Sequence, residues 1–308
     1  MWGCGSVGVC RSGLRARHLA SMKQLLSPNR VALKPFIKWA GGKSQLLDQL
    51  ATLYPPQFNG YHEPFIGSGA VFFDLYARRS LKRARLTDSN AELINCFSMI
   101  RDRVDDVIVL LARHKKRHSS EHYYEIRAQN PERLDTIERA ARFIYLNKTC
   151  YNGLYRVNSK GQFNVPMGRY KNPGIFDPEE LHKAGDALTD IDLAVSDFRD
   201  VIMRARKDDF VYLDPPYHPI TKTSNFTSYT QNAFGEQEQR ALAQLFRGLD
   251  TKGCQVMLSN SWTPFVRDLY EGYSLIEVKA NRAINSNSEK RGKISELVVL
   301  NYDPQVDG

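Results

Sequence analysis

The chain has 308 residues, which permits one large domain or two domains of moderate size. Its 42% hydrophobic and 25% charged residues are typical of a soluble globular protein, and no apolar stretch approaches the 18 or more residues that span a membrane. The five cysteines are scattered without a CxxC pair or zinc-type spacing, so we expect a reducing compartment and no structural metal.

The net charge of +9 does not by itself indicate a nucleic-acid partner. Residues 1–33 carry five basic side chains and no acidic one, so only +4 remains for the rest of the chain. This Gly/Ser/Arg-rich segment has no helical period. It is either an organelle transit peptide or, as we favour, a disordered tail or upstream sequence ahead of a true start at Met22. We expect the folded part to begin near Lys34.

Strands and helices are expected to alternate at the start of the folded part. The stretch YHEPFIGSGAVFFDLYARR predicts a short strand ending at Pro64–Phe65, a glycine turn, and a helix from about Ala70. RARLTDSN predicts a second strand that ends at Asp88. From Ala91 to about Thr149 apolar residues recur three and four apart, which predicts helices, with Pro131 near the start of one.

Residues 150–176 change character, because turn dipeptides at Asn152–Gly153 and near Gly161 indicate a loop or hairpin. Strands are then predicted in DLAVSDF, DFVYLDPP, CQVMLSN and SELVVLNY, with a helix from about Glu236 to Leu249. Alternation of strands and helices predicts an α/β fold with a largely parallel sheet. We expect a catalytic domain at 34–90 and 190–308 and a second, mainly helical domain at 91–189.

Two glycines and an acid indicate a nucleotide-type cofactor. Gly67 and Gly69 lie between an extended segment and a helix, where a bare backbone can approach a ligand, although the glycines alone also fit a plain tight turn. Asp88 follows Gly67 by 21 residues at the end of the next strand, where nucleotide-binding sheets place an acid against ribose hydroxyls. An adenosine-containing cofactor therefore becomes plausible. WAGGKS is not a phosphate-binding P-loop, because Ile37 occupies a required glycine position.

The stretch FVYLDPPY at residues 210–217 combines a buried strand with an acid, two prolines and an aromatic ring. Asp214 lies at a carboxyl end of the sheet, where ligands bind, and the proline pair can hold the Pro215 carbonyl pointing outward. Two acceptors beside the face of Tyr217 suit an exocyclic amino group on a flat ring, whose nitrogen they would make nucleophilic. The alternative is a rigid turn with a capping aspartate, and an isolated DPPY does not decide between them.

A segment without acids indicates contact with nucleic acid. Residues 139–176 contain no Asp or Glu, and they combine basic, amide and aromatic side chains suited to phosphate contact, base reading and intercalation. A solvated loop is the weaker alternative. The basic residues of this segment are Arg139, Arg142, Lys148, Arg156, Lys160, Arg169 and Lys171. The stretch from Pro215 to Gly235 also lacks acids and has the composition of a mobile loop that closes on a substrate.

Several motifs in fixed order resemble the Dam family of DNA adenine-N6 methyltransferases, over roughly residues 34–302. They are FIKWAGGK, EPFIGSGAVF, TDSN, YLNKTCYNGLYRVNSKGQFNVPMGRYKNP, DPPY and SNFTSYTQNAF. The resemblance implies a Rossmann-like methyltransferase sheet with an inserted DNA-recognition domain that carries a β-hairpin. From Phe176 onward the chain departs from the family in detail, and SEKRGK (288–293) is a segment that varies in such proteins.

The resemblance implies that S-adenosylmethionine is the cofactor and double-stranded DNA the substrate. The catalytic residues would be Asp214, Pro215, Pro216 and Tyr217. The cofactor-binding residues would be Trp39, Lys43, Glu63, Phe65, Gly67, Gly69, Asp88, Asp197, Phe198 and Asp214. The DNA-binding residues would be Lys38, Arg127, Tyr151, Asn152, Leu154, Arg156, Asn158, Asn164, Pro166, Arg169 and Tyr170.

Particular roles are implied for some DNA-binding residues. Tyr151 would intercalate, Arg156 would read a guanine, and Leu154 and Pro166 would contact thymine methyl groups. Lys38 would reach the first guanine of GATC. Arg127 would contact a phosphate.

These observations predict transfer of a methyl group to adenine N6, with GATC as the expected site and the target base flipped out of the duplex. One alternative is the same chemistry on RNA adenine or a protein amide, and another is a catalytically inactive DNA-binding protein. We expect a cytoplasmic monomer, bacterial or virus-encoded, without a bound metal. The sequence leaves open a partner restriction enzyme and a role in mismatch repair, replication timing or viral self-protection.

Overall fold

A seven-stranded sheet forms the centre of the protein. The computed structural model describes residues 33–79, 81, 83–219, 234–281 and 293–304. The expectations for the N-terminal tail, for most of the loop before Gly235 and for most of SEKRGK lie outside those residues. The strands are β1 (Tyr61–Glu63), β2 (Ala84–Asp88), β3 (Asp192–Val195), β4 (Phe210–Leu213), β5 (Gln255–Ser261), β6 (Ser274–Asn281) and β7 (Lys293–Leu300).

The strand order is β3-β2-β1-β4-β5-β7-β6. Strands β1 to β5 are parallel, whereas β7 is antiparallel to both β5 and β6. This order confirms the predicted Rossmann-like α/β class and its largely parallel sheet. The sequence did not predict β6, and it did not reveal that the predicted strand in SELVVLNY runs antiparallel. The direction in which successive strands are added to the sheet reverses between β1 and β4. Such a switch point opens a crevice at the carboxyl ends of the strands.

Helices cover both faces of the sheet and build the middle of the chain. Among the described residues they are α1 (Leu47–Ala51), α2 (Ala70–Arg78), α3 (Ala91–Asp102), α4 (Val104–Arg117), α5 (Ser120–Ala128), α6 (Thr136–Thr149), α7 (Pro178–Leu188), α8 (Val201–Arg204), α9 (Glu236–Thr251) and α10 (Pro264–Leu269). Short 3-10 helices cover Lys43–Gln45, Pro131–Arg133, Tyr151–Gly153 and Phe198–Asp200.

Side-chain caps explain where several helices begin. The Asn90 side chain accepts hydrogen bonds from the first amides of α3, and Asp135 forms a capping box with Glu138 at the start of α6. The predicted helical region from Ala91 to Thr149 is confirmed as α3 to α6, and the helix predicted from Ala70 is α2. Pro131 starts a 3-10 helix rather than an α-helix.

Strand β4 shows how the core is divided. Phe210 and Tyr212 pack on one face of the sheet, whereas Val211 and Leu213 pack on the other, against α9. Because both faces are covered, all four residues are buried and the strand reads as a continuous apolar run. On the first face the core continues without a break through Phe97 of α3 into the helical block. The domain bounds at 90/91 and 189/190 therefore stay a prediction.

The predicted hairpin at residues 150–176 is irregular. Two isolated antiparallel bridges, Cys150–Met167 and Val157–Phe163, hold it. The Asn158 side chain accepts the amides of Lys160 and Gln162 and closes the turn at its tip. Within the described ranges, no helix has the length and apolar character needed to cross a membrane.

Candidate active site

A cavity of about 950 Å³ opens at the carboxyl ends of β1, β2 and β4. Its walls include all but one of the predicted cofactor and catalytic residues: Trp39, Lys43, Glu63, Phe65, Gly67, Asp88, Asp197, Phe198, Asp214, Pro215, Pro216 and Tyr217. Gly69 is the exception. Ser196, Phe234 and Glu238 also line the cavity, although the sequence did not single them out. The fold thus brings distant motifs together where a switch point predicts a ligand.

The two glycines of the turn between β1 and α2 serve different purposes. Gly67 has a φ of +48°, and a Cβ there would lie 2.8 Å from the Trp39 ring, so a side chain would push into the cavity wall. Gly69 begins α2 with a φ of +70° and packs against Phe73 and Phe97. Gly69 therefore shapes the helix start from inside the core rather than the cavity surface.

Asp88 places a half-buried carboxylate in the cavity wall. Its Oδ1 accepts the Asn90 amide at 2.9 Å, and the Gly67 amide lies 3.5 Å from Oδ2. Burial raises the pKa of Asp88, and the backbone amides oppose that rise. The carboxylate is thereby oriented by backbone groups at the end of β2.

Three phenylalanines form an apolar corner of the cavity. The rings of Phe65 and Phe198 stack with centroids 5.3 Å apart, and Phe234 meets them at 5.8 and 5.6 Å. The neighbouring Asp197 accepts hydrogen bonds from the backbone and guanidinium of Arg199. A flat, apolar group would fit this corner, and Asp197 is already held by its own neighbour.

A buried lysine is engaged with the DPPY stretch. The Lys43 ammonium lies 2.8 Å from Oδ1 of Asp214, donates to the Gly41 carbonyl at 2.6 Å, and stands 4.7 Å from the centroid of the Tyr217 ring. Burial raises the pKa of Asp214 to about 6; Lys43 opposes this rise, whereas Glu296 adds to it. Lys43 therefore approaches both the acceptor for an amino group, Asp214, and the ring face of Tyr217, and an incoming amine must share Asp214 with it.

Two further acidic residues, Glu296 and Glu63, lie near the DPPY stretch. The Tyr217 hydroxyl donates to Glu296 of β7 at 2.7 Å, which tethers the far end of the ring. Glu63, at the end of β1, accepts the Tyr61 hydroxyl at 2.7 Å. Burial raises the pKa of Glu63 to about 8, so this carboxyl is largely uncharged at neutral pH. Glu296 was not predicted from the sequence.

The predicted DNA-binding residues gather on one loop beside the cavity. Tyr151, Asn152, Leu154, Arg156, Asn158, Pro166 and Arg169 are all exposed. Tyr151 exposes 52% of its surface, which is unusual for an aromatic side chain and leaves it accessible to a partner. Asn152 adopts a left-handed conformation with a φ of 56°, which turns the chain tightly after Tyr151.

The loop is connected to the cavity through its first residues and through α5. The Lys38 ammonium lies 4.7 Å from the centroid of the Tyr170 ring, and Lys38 precedes Trp39 of the cavity wall. Arg127 donates to the Val165 carbonyl at 3.3 Å and covers the Tyr124 ring. The loop is thus held next to the cavity mouth.

A buried amide that the sequence analysis missed joins these segments. Asn147 of α6 accepts the Lys38 amide and donates to the carbonyls of Lys38 and Gly153. Within the loop, Arg156 donates to Asn164 Oδ1 at 2.7 Å. Asn164 therefore orients the guanidinium of Arg156.

Two basic residues of the acid-free segment are used inside the protein. Arg139 forms an ion pair with Glu92 of α3, and Arg142 is buried and donates to the carbonyls of Ile126 and Arg127. Counting basic residues along residues 139–176 therefore overstated the surface available to phosphates. Among the described residues, no group of three or more His, Cys, Asp or Glu is placed to hold a metal ion.

The fold places a nucleotide-type cavity beside acceptors suited to an amino group, as a methyltransferase that acts on amino groups requires, and sequence comparison identifies the family. Residues 39–284 match the model of the D12 class of N6 adenine-specific DNA methyltransferases, and the chain belongs to this family. It is 43% identical over 284 residues to the Type II methyltransferase M1.LlaDCHI of Lactococcus lactis subsp. cremoris, covering 90% of this chain and 99% of that protein.

Two other relatives cover similar spans. The Type II methyltransferase M.MjaIII of Methanocaldococcus jannaschii is 42% identical over 88% of this chain and 99% of its own length. The DNA adenine methylase of Escherichia coli K12 is 37% identical over 89% of this chain and 96% of its own length. The resemblance to DNA adenine methyltransferases inferred from the motifs is thereby confirmed.

Proposed function

We propose that this protein transfers a methyl group from S-adenosylmethionine to the N6 of an adenine in double-stranded DNA, at GATC. The observation that carries the proposal is the position of Asp214 and Tyr217 in one cavity with Asp88 and the phenylalanine corner. Asp214 can accept an amino group and Tyr217 can stack on a base, and both lie next to a site suited to a nucleoside.

The cavity residues fit S-adenosylmethionine, the donor that the family implies. Phe65, Phe198 and Phe234 would hold its adenine ring, and the oriented carboxylate of Asp88 would accept hydrogen bonds from the ribose hydroxyls. A volume of about 950 Å³ leaves room for a second flat group beside the cofactor. When bound, the cofactor supplies an electrophilic methyl group.

The side chains at the DPPY stretch would prepare the nucleophile. The target adenine leaves the duplex, because its N6 cannot be reached inside the stack. The base would lie against Tyr217, and Asp214 would accept one N–H of its amino group. Methyl transfer would form the N6–C bond and break the bond between that carbon and the cofactor's sulfur, and Asp214, hydrogen-bonded to the amino group, would take up the proton that the nitrogen loses.

The loop carrying Tyr151 and Arg156 would read the sequence around that adenine. Arg156 can bond guanine O6 and N7 together, and Tyr151 can fill the stack. The GATC assignment is supported by the motif resemblance to the Dam family, and one of the relatives is a DNA adenine methylase.

The test is to express the chain in a host without adenine methylation and to map methylated adenines across its genome. We expect N6-methyladenine at GATC. Methylation at another sequence would overturn the site assignment alone. In parallel, purified protein with labelled cofactor is offered duplex DNA or RNA of the same sequence; transfer only to RNA, or to neither, would overturn the reaction itself.

A further inference from the structure

Two buried side-chain amides contact the backbone on either side of Tyr217. Gln239 of α9 and Asn260 of β5 have no exposed surface. Gln239 Nε2 donates to the Pro216 carbonyl at 2.9 Å, and Asn260 Nδ2 donates to Gln239 Oε1 at 2.9 Å. Asn260 Oδ1 then accepts the His218 amide at 3.2 Å. These contacts form a continuous relay, which we call the amide relay, from one side of Tyr217 to the other.

The direction of the relay is determined at both ends. The Pro216 carbonyl can only accept, so Gln239 must present its NH₂ group there. The His218 amide can only donate, so Asn260 must present its oxygen there. The middle bond from Asn260 Nδ2 to Gln239 Oε1 is then the one arrangement that satisfies all four groups. An unmatched group here would stay buried without a partner, which is costly.

The relay holds the backbone on each side of Tyr217. The Pro216 carbonyl belongs to the peptide unit before Tyr217, and the His218 amide belongs to the peptide unit after it. Holding both units sets the φ and ψ of Tyr217 and hence the direction of its ring. The Ser261 hydroxyl adds a third restraint by donating to the His218 carbonyl at 2.7 Å.

We infer that Gln239 and Asn260 are positioning residues for methyl transfer, acting through the backbone of Tyr217 rather than by touching substrate. The inference rests on the proposed function, since Tyr217 would receive the target adenine. Loss of the relay should let the Tyr217 ring turn away from the base, and misplacement by about 1 Å can cost on the order of 100-fold in rate. The phenylalanine corner should stay intact, because its residues lie outside α9 and β5.

The test compares full-length Gln239→Met and Asn260→Asp with the wild type. Gln239→Met removes the amide at similar length. Asn260→Asp keeps the acceptor for His218 but sets a second oxygen against Gln239, which must then turn its own oxygen towards the Pro216 carbonyl. The matched control is Gln255→Met, which removes an amide that donates to the Gln57 carbonyl at 2.9 Å from the opposite end of β5.

The measurements are the single-turnover rate of methyl transfer and the dissociation constants for cofactor and duplex DNA. We expect both relay variants to lose roughly 10- to 100-fold in rate while both dissociation constants change less than about threefold. Gln255→Met should keep the wild-type rate. An unchanged rate in Gln239→Met, or binding weakened in proportion to the rate, would overturn the inference.

A crystal structure of Gln239→Met separates this inference from the proposed function. If the Tyr217 ring has the same position in the variant as in the wild type, the amide relay does not position it, whatever the substrate of the enzyme is. A wild-type protein that methylates no DNA adenine would instead overturn the function, while a displaced Tyr217 in the variant would still support the relay. If Asn260→Asp does not fold, Gln239→Met alone decides.

Discussion

Replacing Asp214 with asparagine should inactivate the protein and stabilise it. The Asp214 side chain keeps only 19% of its surface exposed, and burial raises its pKa from the ordinary 3.8 to about 6. A rise of roughly 2 pH units corresponds to about 3 kcal/mol, since each unit is worth about 1.4 kcal/mol. In the folded state the charged carboxylate is therefore unfavourable despite the lysine beside it.

The pH dependence of the stability follows from the protonation of Asp214 in the folded and unfolded states. Between about pH 4 and pH 6 the folded protein holds a proton that the unfolded chain has lost, so wild-type stability falls as pH rises through this window. Asparagine never carries the charge. The Asp214→Asn variant should thus match the wild type near pH 4 and exceed it at pH 8 by up to about 3 kcal/mol, which is roughly 5–10 °C in Tm.

Calorimetry or circular dichroism at pH 4, 6 and 8 gives the Tm values, and labelled cofactor gives the methyl-transfer rate. The rate should fall at least about 100-fold, because asparagine offers the amino group no charged acceptor. Asp48→Asn is the control, since Asp48 is fully exposed and pairs with Arg78 at 3.4 Å; its Tm should not change. A Tm at pH 8 at or below wild type would show that attraction to Lys43 outweighs burial, and near-normal turnover would refute the assigned role of Asp214.

Three further outcomes are expected. The kcat/KM of the wild type should rise about tenfold per pH unit below pH 6 and level off above it, because Asp214 must be ionised to accept the amino group; a flat profile down to pH 5 would contradict this. Phe198→Ala should weaken cofactor binding about tenfold or more in calorimetric titration and leave DNA affinity unchanged, since among the described residues the Phe198 ring stacks within the phenylalanine corner and against Arg199. Arg156→Ala should cut the preference for GATC over duplexes altered at one outer base pair by about 5- to 150-fold, whereas the exposed Lys171→Ala should weaken all duplexes alike; an unchanged preference would make Arg156 a phosphate contact.

Local patterns in the sequence predicted part of the cavity wall, and the family resemblance implied the remaining residues. FVYLDPPY predicted a buried strand ending in an acid, and Gly67 with Asp88 predicted a nucleotide-type turn. Each of these signals lies within one strand–turn unit, and the carboxyl ends of parallel strands meet at one edge of the sheet. Once a parallel sheet was predicted, these strand-end residues were therefore expected to lie close together.

Contacts between distant segments could not be derived in the same way. Glu92 neutralises Arg139 across 47 residues, so a segment that looked purely basic in the sequence proved partly paired. Glu296 belongs to a strand that carries no local motif. Phe234 ends the motif SNFTSYTQNAF, but nothing in that motif indicated that its ring would join Phe65 and Phe198. Their roles depend on which face of the sheet each element covers.

The sequence by itself determined the chemistry that the site can offer: a carboxylate, a stiff turn and an aromatic face at the end of β4. Tertiary structure decided how those groups are held. Lys43 reaches Asp214 from 171 residues away, and the amide relay joins α9 and β5 behind Tyr217. Hydrogen bonds between buried amides depend on distances and directions that exist only after the helix has packed on the sheet, so no spacing along the chain can reveal them.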